Sequence, residues 1–223
     1  MTDTKKKVLY IGGHGKVGLL AAPKLVKAGH TLDSLVRKEE QFDDIKELGA
    51  NPVLADVTEL TVSQWEELLR GYDVVVWGAG NGGRAGADAT WAVDRDAALK
   101  NIDALENLHK EGNAPAYVMI SYLGATTNTT DPDEASWYAY VESKKAVDKR
   151  LLDTDLDFVI LGPSTLTEEP SQGIKVVPDD SKDITTKTSR ELVAEVVTEV
   201  VGRDKFPASP LAFVDGEDAV NSI

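Results

Sequence analysis

The stretch VLYIGGHGKVG, residues 8–18, joins a run of apolar residues to a group of closely spaced glycines. The glycines fit two patterns, because Gly13-x-Gly15-x-x-Gly18 and Gly12-x-x-Gly15-x-x-Gly18 share their last two positions. Without a Cβ, such positions allow a tight turn, a close approach of the backbone to a pyrophosphate, and close contact between helix and strand. Both patterns therefore predict a dinucleotide-binding turn between a first strand and a first helix.

Side chains within this turn can add to the predicted site. The free N–H groups at the start of the helix face an anion, and His14 and Lys16 can supply a hydrogen bond or positive charge. A P-loop is disfavoured because Lys16 is followed by Val17 rather than by serine or threonine. The predicted cofactor loop comprises Gly12, Gly13, His14, Gly15, Lys16, Val17 and Gly18.

Short apolar runs alternate with helical patterns along the rest of the chain. Predicted strands cover Lys7–Gly12, Thr31–Val36, Pro52–Ala55, Asp73–Gly78, Ala116–Ser121, Asp157–Leu161, Ile174–Val177 and Leu211–Val214. Predicted helices cover Lys16–Ala28, Gln41–Leu48, Val62–Leu69, Trp91–Lys110, Ser136–Leu152 and Ser189–Val201. Runs such as DVVVWGAG are apolar on both faces, which is typical of parallel strands covered by helices on both sides. The sequence predicts an α/β fold with a Rossmann-type doubly wound parallel sheet, one domain over residues 1–223, in which about 162–223 form a small substrate-side region.

The ends of the next strands extend the predicted cofactor site, because ligands of open α/β sheets bind beyond the carboxyl ends of the strands. Arg37 and Lys38 end the second strand, where an NAD-preferring site places an acidic residue for the ribose. A guanidinium there can pair with a 2′-phosphate, which predicts NADP(H) rather than NAD(H). Further predicted contacts are Asp56 and Val57 at the adenine edge, and Gly78, Ala79 and Gly80 near the ribose and phosphate.

A second pattern, Tyr140-x-x-x-Lys144, lies on the predicted helix after the fifth strand. Residues four positions apart share one face of a helix. A neighbouring ammonium lowers the pKa of a tyrosine, so Tyr140 can exchange a proton with a carbonyl or hydroxyl while hydride moves to or from nicotinamide. Lys144 can also bind the nicotinamide ribose. By itself this spacing also occurs by chance on amphipathic helices, and its position after the fifth strand favours the catalytic interpretation.

Taken in order, these motifs resemble the atypical short-chain dehydrogenase/reductase superfamily, in particular its NmrA-like, NAD(P)H-binding branch, which includes biliverdin/flavin-reductase-like proteins. The similar segments are YIGGHGKVG, LVRK, LADVTE, AVDRDAALKNIDAL, YVMISYLGA, YVESKKAVDKRLLDTDLDFVILGPSTLTEEPSQG, TSRELVAEVV and FVDGEDAVNSI. They cover nearly the whole chain and favour the register that begins at Gly12. The resemblance implies a Rossmann fold with NAD(P)H across the strand ends, with Pro163 and Ser164 beside the nicotinamide and Ser121 polarising the substrate carbonyl.

Three positions depart from the branch. Ser121 is followed by Tyr122, where many relatives have two hydroxyl residues of which the second is often catalytic. Asp94 stands where active relatives often have asparagine, and Gly162 replaces an arginine that commonly precedes the proline. The resemblance thus leaves two readings: an NADP(H)-dependent oxidoreductase acting on a small carbonyl, quinone or flavin-like substrate, or a dinucleotide-binding redox sensor without turnover. A sugar-nucleotide epimerase is less expected, because the region after Leu161 is short for a substrate domain.

The amino-acid composition disfavours several classes of binding partner. The net charge is −14, which disfavours nucleic acids and anionic membranes, and no run approaches the ~20 apolar residues that span a bilayer. The chain has no cysteine and three scattered histidines, which predicts neither disulfides nor a metal site. The N-terminus lacks a signal-peptide pattern. We expect a cytoplasmic protein with a small-molecule substrate, as a monomer or a dimer.

Overall fold

The computed structural model describes residues 5–82, 85–181 and 186–223, so residues 1–4, 83–84 and 182–185 of the predicted domain lie outside the described residues. Its strands are β1 (Lys7–Ile11), β2 (Thr31–Val36), β3 (Asn51–Leu54), β4 (Val74–Trp77), β5 (Ala116–Ile120), β6 (Phe158–Pro163), β7 (Thr165–Thr167), β8 (Ile174–Val176), β9 (Lys187–Ser189) and β10 (Leu211–Asp215). Its helices are α1 (Lys16–Lys27), α2 (Phe42–Glu47), α3 (Val62–Leu69), α4 (Ala87–Thr90), α5 (Ala98–Lys110), α6 (Ala135–Leu152) and α7 (Arg190–Gly202). A π-helical segment, Trp91–Ala97, connects α4 to α5 without a break.

Eight strands form one sheet in the order β3-β2-β1-β4-β5-β6-β10-β8. All neighbouring pairs are parallel except β10 and β8, which run antiparallel. The chain passes from β1 outward through β2 and β3, and then returns to pair β4 with the other side of β1. This reversal opens a crevice at the carboxyl ends of β1 and β4. The prediction of a Rossmann-type doubly wound parallel sheet in a single domain is confirmed.

Both faces of the sheet are buried, as the continuous apolar runs predict. Val8 and Tyr10 of β1 point into a core on one face, where α1 and α7 pack against each other and the sheet. Leu9 and Ile11 point into the opposite core, which contains α3, α5 and the paired indoles of Trp65 and Trp77. Alternate residues of one strand thus serve two separate cores, and the glycine turn is fixed between them.

The region after β6 adds mainly to the same sheet. The strand predicted at Ile174–Val177 is β8, and the predicted last strand is β10, which pairs in parallel with β6. Two short strands that the sequence analysis did not predict, β7 and β9, form a separate two-stranded parallel sheet. The role of residues 162–223 as a substrate side stays a prediction.

Within the described ranges, no helix is both long and apolar enough to cross a membrane.

Candidate functional site

The glycine turn is tied to the neighbouring strand by its backbone. The N–H groups of Gly12 and Gly13 both donate to the carbonyl oxygen of Leu35, over 3.1 and 2.9 Å. Gly12 has a φ of +86°, in the left-handed region that side-chain-bearing residues rarely adopt. A Cβ there would lie 2.8 Å from the Cα of Ala79, which follows β4. The turn can therefore bridge β2 and β4 only with glycine at this position.

The remaining glycines of the turn divide into two kinds. A Cβ on Gly13 would lie 2.6 Å from the Cβ of Ser34, and one on Gly18 would lie 2.6 Å from the carbonyl oxygen of Gly13. Gly15 differs, because it is exposed and its Cβ would approach only the carbonyl oxygen of Gly12, at 3.1 Å. Packing within the protein thus accounts for most of the glycines and only weakly for Gly15. An open glycine at the N-cap of α1 fits the close approach of a dinucleotide pyrophosphate.

The side chains of His14 and Lys16 in the turn are each paired with a carboxylate. His14 Nε2 lies 2.7 Å from an Asp44 oxygen, and Lys16 Nζ donates to Glu168 over 2.7 Å. Glu168 also accepts from Arg190 at the start of α7, over 2.9 Å. The structure therefore places His14 and Lys16 at the predicted loop, each paired with an acidic side chain from another segment. Val17 lies behind them, partly buried against the core.

The end of β2 presents two exposed cations. In the described part of the chain, neither Arg37 nor Lys38 makes an ion pair or a side-chain hydrogen bond. The carbonyl oxygen of Leu35 accepts hydrogen bonds from the glycine turn, and Arg37 follows two residues later. Arg37 is therefore located next to the predicted ribose position. Two exposed positive charges without a direct ion pair at this place suit a phosphate group.

Asp56 and Val57 follow β3 at the same edge of the sheet. The Asp56 carboxylate accepts from the hydroxyl and backbone N–H of Thr58, over 2.7 and 2.9 Å. These bonds, and to a smaller degree the charge of Arg37, lower the pKa of Asp56. Val57 is buried in the core on the α3 side of the sheet. The carboxylate therefore stabilises its own turn at the predicted adenine edge.

Close packing also restricts which residues the loop after β4 can contain. A Cβ on Gly78 would lie 2.7 Å from the ring of Tyr10, and one on Gly80 would lie 2.6 Å from the Oδ1 of Asp94. The other oxygen of Asp94 accepts from the backbone N–H of Asn81 over 3.1 Å. Asp94 is buried in the π-helical segment. This departure from the branch thus shapes the loop beside the glycine turn.

The second cluster lies at the carboxyl end of β5. Lys144 is buried on α6, and its Nζ donates to the carbonyl oxygen of Ile120 over 3.0 Å. Ser121, the next residue after Ile120, is also buried, and its Oγ donates to Asp148 Oδ2 over 2.5 Å. Lys144 and Asp148 are one helical turn apart, so a single face of α6 contacts the end of β5 twice. The pairing of β4 with β5 places this cluster on the strand next to the loop of Gly78–Gly80.

Tyr140 lies one turn before Lys144 on the same helix. Its ring is stacked between Tyr122 and Trp137, with centroid distances of 5.5 and 5.3 Å. Trp137 is exposed, whereas Tyr122 is partly buried and accepts a hydrogen bond from Asn128 over 3.2 Å. Burial raises the pKa of Tyr122. The two neighbouring rings restrict the orientation of Tyr140 at the outer rim of the cluster.

Asp148 was not predicted by the sequence analysis. Burial raises the pKa of its carboxyl to about 7, against the opposing effects of the Ser121 hydrogen bond and the Lys144 charge. The available signal was the continuation of the helical spacing, Tyr140-x-x-x-Lys144-x-x-x-Asp148, which places a third polar residue on the same face of α6. Its contact with Ser121 joins residues 27 positions apart and cannot be read from local spacing.

The end of β6 and the residue that follows it approach the cluster from the side opposite β4. Pro163 is buried, and its carbonyl accepts from the N–H of Leu123 over 2.9 Å. The side chain of Ser164 is used within the protein, because its Oγ lies 2.9 Å from both the carbonyl oxygen and the hydroxyl of Thr186. Ser164 is therefore near the predicted nicotinamide end, with its hydroxyl turned to β9. A Cβ on Gly162 would lie 3.5 Å from Asp179 Oδ1.

Fold and site together define a dinucleotide-binding Rossmann protein, and comparisons with known proteins agree. The sequence model described as NAD(P)H-binding matches residues 12–204. The chain is 29% identical over 206 residues to UPF0659 protein YMR090W of Saccharomyces cerevisiae, with 86% of each chain covered. It is 33% identical over 168 residues to the Bacillus subtilis protein named uncharacterized sugar epimerase YhfK, with 75% of each chain covered.

A solved structure from Bacillus halodurans, provisionally named an NAD-dependent epimerase/dehydratase, superposes with a TM-score of 0.83 at 29% identity, covering 97% of both chains. The chain belongs to the NAD(P)H-binding family, within the atypical, NmrA-like short-chain dehydrogenase/reductases.

Proposed function

We propose that this protein is an NADP(H)-dependent oxidoreductase that acts on a small carbonyl, quinone or flavin-like substrate. The observation that carries the proposal is the contact of α6 with the end of β5: Lys144 is buried against Ile120, one residue before Ser121 and one helical turn from Tyr140. A buried lysine one helical turn from a tyrosine on a dinucleotide fold suits proton transfer coupled to hydride transfer.

When bound, the nicotinamide would supply or accept the hydride, while residues of this chain would bind the reactants and move the proton. The open Gly15 and the first N–H groups of α1 would hold the pyrophosphate, and the loop of Gly78, Ala79 and Gly80 would contact the ribose. Tyr140 would exchange the proton with the substrate oxygen, and Lys144 would favour the phenolate of Tyr140 and bind the nicotinamide ribose. Ser121 polarises the substrate oxygen by a hydrogen bond.

Arg37 and Lys38 support a preference for NADP(H). Both are exposed and lack ion pairs within the described ranges, and they are joined through Leu35 to the glycine turn. A 2′-phosphate could accept hydrogen bonds from both side chains. The acidic, cysteine-free composition further supports a cytoplasmic protein that binds small molecules rather than nucleic acids or membranes.

The test compares Tyr140→Phe with Tyr138→Phe, a control on the same helix whose ring packs edge-on against Trp91. NADPH oxidation is followed with a panel of quinones, flavins and aldehydes. We expect Tyr140→Phe to lower kcat by about 100-fold or more, since general acid–base catalysis contributes about 10²–10⁴-fold. The Tyr138→Phe variant should retain turnover. Equal rates in both variants would remove Tyr140 from the mechanism.

A second candidate is a redox sensor of the NmrA-like type that binds the dinucleotide without turnover. It is favoured by Asp94, whose carboxylate accepts from Asn81 N and occupies a position at which active relatives often have asparagine. The sensor hypothesis predicts tight binding of NADP(H) and no turnover with any member of the panel. The epimerase names of relatives receive less support here, because β8 and β10 join the main sheet and leave little chain for a substrate domain.

A further inference from the structure

Asp148 has two oxygens in different situations. Oδ2 shares a 2.5 Å hydrogen bond with Ser121 Oγ. Oδ1 is buried and has no hydrogen-bond partner within the described residues. A buried carboxylate with an oxygen that neither water nor a donor reaches is costly, whereas the neutral acid loses much less on burial. The geometry therefore favours the protonated form of Asp148.

The groups around Asp148 act in opposite directions. On its own helix, Lys144 opposes protonation through its positive charge. Asp179, in the segment after β8, favours protonation through its negative charge. From β5 and the loop that follows it, Tyr117 and Tyr122 face the same region as neutral groups, and burial raises the pKa of both. Gly162 on β6 contributes no side chain beside Asp179.

Protonation of Asp148 decides what Ser121 can do, because a serine hydroxyl has a single proton to donate. An ionised Asp148 can only accept, so Ser121 must give its proton to that bond. A protonated Asp148 donates to Ser121 Oγ instead, and the Ser121 proton can then turn to another acceptor. The hydrogen bond between Ser121 and Asp148 thus has two possible directions. Ser121 can donate to another acceptor only when Asp148 is the donor of this bond.

We propose that Asp148 is a positioning residue that sets the direction of the Ser121 hydroxyl: as an acid it turns Ser121 toward the substrate oxygen, and as a carboxylate it takes that donor away. No bond is made or broken in this step, and the proton exchanged with the substrate still comes from Tyr140. The inference rests on the proposed function only for the identity of the acceptor. Because burial raises the pKa of Asp148 to about 7, the change of direction falls near neutral pH.

Infrared spectroscopy of the protein alone tests the contact between the two residues. Spectra between pH 5 and pH 9 are compared for the wild type, Asp148→Asn and Ser121→Ala. We expect a buried carboxylic-acid band that disappears near pH 7 in the wild type and is missing in Asp148→Asn. In Ser121→Ala the band should persist to higher pH, because the Ser121 hydrogen bond stabilises the carboxylate. An Asp148 already ionised at pH 5, or a titration unchanged by Ser121→Ala, would overturn the proposal.

Kinetics test the consequence for catalysis, with NADPH and menadione as the probe. The wild-type kcat should fall by about tenfold or more as pH rises through the infrared transition, since a lost oxyanion donor costs about 10²–10³-fold. Asp148→Asn should lose this pH dependence, because its amide donates to Ser121 Oγ at every pH. The NADPH Kd should stay the same. An identical pH profile in both proteins would refute the positioning role. If no protein reduces menadione or the wider panel, the proposed function fails, and the infrared result still decides the protonation and coupling of Asp148.

Discussion

The glycine turn and the α6 cluster, which consists of Ser121, Tyr140, Lys144 and Asp148, form two halves of one edge of the sheet, yet they are constructed differently. The turn is made of backbone: a Cβ on Gly12, Gly13 or Gly18 would meet main-chain atoms or the short side chain of Ser34. The α6 cluster is made of side chains that reach across from different elements, as in the contact of Ser121 with Asp148. A site made of backbone tolerates almost no added atom, whereas a site made of side chains depends on charge and protonation.

The largest effect on stability should follow from adding a Cβ to a glycine of the turn. In Gly12→Ala the new Cβ meets the Ala79 backbone at 2.8 Å in a left-handed conformation, and we expect a loss of about 4 kcal/mol or more of stability. Gly15→Ala is the matched control, since its Cβ has one close neighbour, at 3.1 Å. It should change stability by less than about 1 kcal/mol while weakening NADPH binding about tenfold or more. Thermal unfolding and calorimetric titration measure both. Equal stability of the two variants would contradict the contrast.

In the side-chain half, the stability effect should depend on pH. Burial raises the pKa of Asp148 from 3.8 to about 7, so the folded protein binds this proton more tightly than the unfolded chain does. The resulting stabilisation is fully present below about pH 4 and is lost as the pH rises through about 7. Because the side chain introduced in Asp148→Asn carries no charge at any pH, the free energy of unfolding of the variant should increase relative to that of the wild type by about 2–3 kcal/mol between pH 5 and pH 8.

Unfolding midpoints at the two pH values measure this difference. The exposed Asp153→Asn, at the end of the same helix, is the control and should show no such growth. A constant difference between Asp148→Asn and the wild type would mean that burial does not hold Asp148 in its neutral form.

A smaller effect, on cofactor affinity, is expected from removing the positive charge of Arg37 beside the glycine turn. Arg37→Ala should weaken NADPH binding by about tenfold, close to 1.4 kcal/mol, and leave NADH binding nearly unchanged. Arg70→Ala, on an arginine paired with Glu111, controls for the loss of one positive charge. Titration with both cofactors measures the ratio. A parallel loss for NADPH and NADH would place Arg37 away from the 2′-phosphate.

The smallest effect concerns the ion pairs of Glu168 beside the glycine turn. Glu168 accepts from Lys16 on α1 and Arg190 on α7, and its negative charge repels an incoming phosphate. Glu168→Gln should therefore tighten NADPH binding by only about two- to fivefold, because exposed ion pairs are weak and screened by salt. The gain should shrink at high ionic strength. Glu169→Gln is the control on the neighbouring position, and weaker binding in Glu168→Gln would show that the carboxylate assists the cofactor.

The different construction of the halves also explains what the sequence could reveal. Residues 8–18 carry the turn in consecutive positions, so their spacing predicted the first strand, the turn and the first helix. The alternation of apolar runs with helical patterns along the chain predicted the doubly wound sheet. Tyr140 and Lys144 could be proposed from the sequence because they are neighbours on one helix. Asp148 was missed because its role depends on burial and on Ser121, 27 residues away. Likewise, β7 and β9 are three-residue strands held by pairing with each other, with too few residues to show a period.

The π-helical segment Trp91–Ala97 has a consequence for the length of the chain. A π-turn holds one residue more than an α-turn, so it behaves as a single-residue insertion accommodated within an otherwise regular helix. Removing one residue from this segment would therefore restore a regular α-helix between α4 and α5 and leave the two flanking helices in their present register. In a one-residue deletion scan, the segment should retain folding better than α5 or α6, in which the same deletion turns the following residues by about 100°. The segment thus marks a place where the number of residues in this chain can change without disturbing the helices on either side.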